Sequence, residues 1–97
     1  MAKATTSTNV GLPTSFQLAG CEWKVRVVPE LPDMGLCDPQ KYEICIRAGM
    51  NAQATQATFF HELVHAIKFV MGETDHSEKE VEGFGNLLHQ WVITSKV

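Results

Sequence analysis

Basic residues are scarce in this chain and scattered along it: eight Lys and Arg stand against eleven Asp and Glu, for a formal net charge of −3. A nucleic-acid backbone is gripped by a stripe or patch of cations, and the sequence offers none. Long apolar runs are lacking as well, with nothing near the roughly 18 residues of a membrane span. Met1 to Val10 has one lysine and no apolar stretch of the kind a secretory signal carries. Cytoplasmic residence is the resulting expectation. Cysteine is limited to Cys21, Cys37 and Cys45, with no CxxC spacing. That is a poor disulfide framework and a poor structural zinc site, so the thiols read as small buried or half-buried side chains. Cys37 and Cys45 could be neighbours across a strand pair. A thiol-redox function would need a cysteine activated by a cation, and only Lys24, Arg26 and Arg47 are at hand.

What is present suits a small folded protein. Hydrophobic residues make up 44% and charged residues 20% of 97 positions, enough for one modest core and one domain. Residues 1–15, rich in Thr, Ser and Ala, read as a flexible leader, and 16–97 as the single domain. Trp23, Val25 and Val27 alternate with Lys24 and Arg26, the period of a half-buried strand. Pro29 and Pro32 break that run, and Asp33-Met34-Gly35 reads as a turn. Tyr42, Ile44 and Ile46 then alternate with Glu43, Cys45 and Arg47, and Leu36-Cys37 could add a short strand before them. A simple hairpin-like link would make these runs antiparallel partners.

Helical spacing takes over after Asn51, a good N-cap. Ala52 to Met71 contains neither Gly nor Pro, and Phe60, Leu63, Val64, Ile67, Val70 and Met71 recur on one stripe. Gly72 is a natural stop. Asp75 or Ser77 caps a second helix, Ser77 and Glu80 having capping-box spacing; its apolar face is Val81, Phe84, Leu88, Trp91 and Val92. The expected fold class is α+β: a small antiparallel sheet of two or three strands packed on the first helix, with a second helix at the C-terminal end.

The first helix carries His61-Glu62-Leu63-Val64-His65, an HExxH motif. Residues four apart project from one helix face, so His61 and His65 aim two imidazoles at one point, and imidazole nitrogens suit Zn2+. Glu62 flanks that point, where a carboxylate can take a proton from an activated water without ligating the metal. A metzincin continuation is absent, since Lys68 stands where its glycine belongs. The third ligand must then come from the second helix, where Glu78, Glu80 and Glu82 follow His76. Glu80 suits the cap. Glu78 and Glu82 share the face that packs on the first helix, and a simple antiparallel register sets His65 level with Glu82. Gly83 and Gly85 are costly inside a helix, and a close approach of the two helices would explain them.

HELVHAI, a Gly-ended turn and E-x-x-V-E-G-F-G-N-L-L together resemble the compact zinc peptidase-like proteins of phages and prophages. Those are related in pattern to the ImmA/IrrE-type metallopeptidases and more distantly to gluzincins. The Gly35-Leu-Cys-Asp38 turn and the Tyr42-Glu-Ile-Cys-Ile46 run ahead of the motif are similar to the layout of such proteins, and the likeness covers roughly 22–92. The resemblance implies a minimal zincin-like fold, a zinc-dependent peptidase acting on a peptide or protein in the cytoplasm, and a phage or prophage origin. It implies Glu78 as third ligand, with Val81 and Gly85 as the small or aliphatic positions behind it, and Glu82 as the acid that orients a ligand histidine; the exchange of these two roles stays open. The run from Tyr42 to Ala48 would border the cleft, and Tyr42, His76 and His89 are candidate oxyanion stabilisers. The competing expectation is a metal-bound structural or interaction module, since 97 residues leave little wall around a substrate.

Overall fold

The computed structural model describes residues 11–96. Four strands and two helices follow one another: β1 (Ser15–Leu18), β2 (Cys21–Val28), β3 (Gly35–Asp38), β4 (Glu43–Arg47), α1 (Ala52–Val70) and α2 (Glu78–Thr94). The α+β class is as expected, but the sheet is larger and differently wired. It is four-stranded in the order β1-β2-β4-β3. Most of the expected leader lies outside the described residues, and its last residue, Ser15, opens β1. The Thr14 carbonyl accepts a hydrogen bond from Val25.

β2 and β4 are parallel, not antiparallel, with Val25 opposite Ile44 and Val27 opposite Ile46. The linker between them is no simple hairpin: it contains β3, which pairs antiparallel with the far side of β4. The arrangement follows from burial. β4 carries three consecutive buried residues, Ile44, Cys45 and Ile46, and so takes an inner position, while the short β3 takes the edge. Cys37 lies opposite Ile44, and Cys45 opposite Leu36. The two cysteines are one register step apart and point to opposite faces of the sheet, so they are not cross-strand neighbours.

α1 packs on β3 and β4, and α2 packs on α1. The core between sheet and α1 holds Trp23, Ile44, Ile46, Phe59 and Ala66. Phe16 of β1 stacks on Trp23 and meets Phe59 edge-on. Asn51 caps α1 through the Ala54 amide, and Gly72 ends it at φ +89°, a conformation that favours glycine. Ser77 caps α2 by accepting from the Glu80 amide. The reciprocal half of the capping box is replaced, because the Glu80 carboxylate pairs with Lys68 of α1 at 2.7 Å. Lys68 also holds Glu73 at 3.1 Å, tying the end of α1 to the loop and to the start of α2.

The predicted apolar face of α2 is only partly covered. Val81 is fully buried, but Phe84 is 55% exposed and Trp91 67%. Gly85 meets the expectation of a close helix approach, since a Cβ there would stand 3.1 Å from the His61 Cα. Gly83 does not; a Cβ there would meet nothing within 4 Å.

Candidate metal centre

Helix geometry places His61 and His65 one turn apart on α1, their rings 5.2 Å apart between centroids. Glu78, the first residue of α2, reaches both. One carboxylate oxygen lies 3.4 Å from the His61 Nε2 and the other 3.4 Å from the His65 Nε2. His61, His65 and Glu78 can each offer one ligand atom with all three within 4.8 Å of one another. Simple register would favour Glu82 for this position. Register fixes the level of the backbones, however, and a glutamate side chain spans about one helical turn, roughly 5 Å, so the acid one turn away can take the central place.

Glu82 has a different part. Its carboxylate lies 3.1 Å from the His61 Nδ1. A carboxylate accepts, so Nδ1 carries the proton and the His61 Nε2 presents a lone pair toward Glu78. His65 is oriented by a two-step chain. The His76 Nε2 lies 2.8 Å from the Glu73 carbonyl and therefore donates to it. This leaves the His76 Nδ1 as an acceptor for the His65 Nδ1–H at 2.8 Å. His76 is packed between Phe69 and the His65 ring. Both ligand candidates thus hold their Nδ1 protons away from the centre and turn Nε2 inward, as outer partners do at metal sites.

Two imidazole lone pairs and a carboxylate converge with no proton between them. Such an array repels itself unless a cation sits in it or the rings are protonated. Protonation is opposed at His65, where burial is the largest influence and pushes the pKa down; Glu78 raises it, while His61 and His76 lower it further. The spacing also fits a cation. Each Nε2 lies 3.4 Å from a different oxygen of Glu78, and one ligand atom from each of the three residues falls within 4.8 Å of the others, close enough for one small ion to be shared. Histidine and carboxylate donors also suit other first-row divalent ions.

Glu62 is 8% exposed. Burial raises its pKa above the ordinary carboxylate value, His61 lowers it, and Glu78 and Asp33 raise it further. No hydrogen bond to its carboxylate occurs among the described residues. Gly35 of β3 presses on it, since a Cβ there would come within 3.1 Å of its Oε2 and 2.6 Å of the Thr58 Cγ2. Beside Glu62 and His61 opens a cleft of about 470 Å³, walled by the 32–35 segment, Arg47, Ala57, Thr58, Glu82 and Asn86.

The Tyr42–Ala48 run, expected to border this cleft, reaches it at Arg47 alone among the lining residues; β4 is an inner strand, and the sheet edge beside α1 is β3. Tyr42 packs edge-on against Trp23 and lines a different hollow with Leu18, Cys21 and Phe69. His89 stacks on Phe60 and donates to Gln56. His76 is committed to orienting His65. Sequence reasoning missed that role, as well as the contact between Gly35 and Glu62. A histidine 11 residues beyond a ligand carries no periodic signal. The cysteines are free. Burial, then Glu62 and Asp38, push the Cys37 thiol up to about 12, and burial first pushes Cys45 up as well. Both shifts oppose a thiolate nucleophile. No helix among the described residues is long and apolar enough to cross a membrane. Set against known proteins, the chain matches no family model, no curated protein and no solved structure.

Proposed function

We propose that this chain is a zinc-dependent peptidase of minimal zincin-like design, the reading that the resemblance to phage and prophage HExxH proteins also favours. The carrying observation is the convergence of two Nε2 lone pairs and the Glu78 carboxylate beside a buried, unbonded Glu62 on the wall of an open cleft. His61, His65 and Glu78 would hold the ion, which when bound supplies a Lewis acid that lowers the pKa of water and polarises a carbonyl. Glu82 and His76 keep the two rings turned inward. Glu62 takes the proton of the attacking water and passes it to the leaving amine, a task suited to a carboxylate whose pKa is raised toward the working pH. The side of β3 that pairs with no strand among the described residues can receive an extended peptide by strand addition, holding the scissile bond over α1.

Metal content and proteolysis of a denatured protein test this together. Wild type should hold one zinc per chain, and Glu78→Ala should lose it. Glu62→Gln should keep the ion and lose about 10²–10⁴-fold in rate. Equal turnover by wild type and Glu62→Gln, or failure of wild type to bind the ion, would refute the reading. A second reading, a metal-held interaction module, draws on the exposed apolar surface of α2, where Leu87 is 66% and Trp91 67% exposed. On that reading Glu62→Gln leaves function intact.

A further inference from the structure

We propose that the chain pairs with a second copy of itself, the two α2 helices lying antiparallel along their outer flanks about a two-fold axis. Phe84, Leu87, Leu88 and Trp91 stand at i, i+3, i+4 and i+7, which makes them one stripe along α2. The stripe does not face α1. That contact belongs to Val81, Gly85 and His89, the buried residues of α2. All four stripe residues are exposed, Leu87 and Trp91 most of all. Beside them the surface sinks into a hollow of about 550 Å³ between the helices, walled by Val64, Ile67, Met71, Phe84 and Leu88. The charged residues on its walls, Lys68, Glu73 and Glu80, already pair with one another, so the hollow is fitted to an apolar group.

A continuous apolar surface of this kind marks an interaction site, and three observations favour a second copy as its occupant. The first is area. With Val92 and Met71 alongside, the stripe leaves on the order of 700 Å² in water, taking whole side chains at roughly 150–250 Å² each. A standard interface covers about 800 Å² on each partner. The second is order. Turned about the point midway between Leu87 and Leu88, an antiparallel copy sets Phe84 against the partner's Trp91 and Leu87 against the partner's Leu88. The stripe therefore matches itself, as a two-fold contact requires. The third is relief. The hollow lies at the Phe84 end of the stripe, and that pairing delivers the partner's Trp91 to its mouth. Pairing draws on none of the metal-site residues. Glu82 and Asn86, which line the cleft, lie on the opposite flank of α2, so both clefts stay open in the pair.

Sedimentation velocity of the full chain tests this, with iodide quenching of the Trp91 emission read on the same samples. Between about 1 and 200 µM the wild type should pass from one chain to two, with a dissociation constant of about 10 µM or tighter. Trp91, open to iodide in the single chain, should become shielded as the pair forms. Leu87→Glu and Trp91→Glu place a charge where the single chain already meets water, so both should fold and bind zinc as wild type does. Each should weaken pairing about 100-fold or more, because the two-fold axis brings the charge in from both copies. Leu88→Lys should weaken it too, yet an equal mixture of Leu87→Glu and Leu88→Lys chains should associate about 10-fold or more tighter than either alone. A wild type that stays single at the highest concentration overturns the proposal and leaves the face to a different protein. A pair that survives both glutamate variants, growth beyond two copies, or a mixture that fails to recover association overturns it as well.

Discussion

Glu62 is a residue whose placement works against the fold. A carboxylate 8% exposed, pressed by Gly35 and lacking a hydrogen bond, is easier to bury protonated than charged. Its folded pKa is raised, so whatever stability it contributes is present below the unfolded value and is lost as pH climbs through the folded one. In metal-free protein, Glu62→Gln should therefore melt higher than wild type at about pH 7, and the gap should close near pH 4. A thermal melt at each pH decides it; a variant that melts lower at neutral pH would show the carboxylate to be stabilising. The identity of this residue was readable from the sequence, because HExxH spacing is local and a helix fixes which side chains share a face. Of the groups that turn the rings, Glu82 is named only through the resemblance, with its exchange with Glu78 left open, and His76 is not named for that role. His76 reaches His65 and Glu82 reaches His61 only once α2 has packed on α1.

Between elements, the decisive contact is where α2 crosses α1. Gly85 sits on the His61 backbone, and a methyl group there would stand 3.1 Å from the Cα and 3.2 Å from the amide nitrogen. Backbone cannot swing aside as a side chain can, so the helices must part by a few tenths of an ångström. Gly85→Ala should cost about 1–3 kcal/mol of stability and weaken metal binding, because Glu78 moves away with α2. Gly83→Ala meets open space and should gain about 1 kcal/mol through helix propensity alone. Chemical denaturation of the pair checks both signs. The sequence suggested a close approach at both glycines, but periodicity does not say which face of a helix lies nearest its partner. The sheet shows the same limit. Alternation marked β2 and β4 as strands, yet it reads identically in either direction and is silent about neighbours. Their parallel pairing depends on β3 taking the edge, and β1, four residues starting at the last position of the Ser- and Thr-rich stretch, is too short to show a period.

Across the molecule, the ligand set joins two parts that the chain reaches separately. His61 and His65 belong to α1, which lies on the sheet, whereas Glu78 belongs to α2, which touches mainly α1. An ion held by all three is bound by the folded state alone. At free zinc about 100 times the dissociation constant, it should add about 2.7 kcal/mol, a rise in melting temperature on the order of 10 °C. A chelator should reverse the rise, and Glu78→Ala should show none of it.

The two tryptophans extend this to optics. Trp23 is sealed in the core, while Trp91 stands 67% exposed on α2. Their emission should split into a blue band that iodide leaves alone and a red band that it extinguishes. Replacing Trp91 by Phe would leave a single emitter, silent to events at the surface and responsive to the opening of the interior.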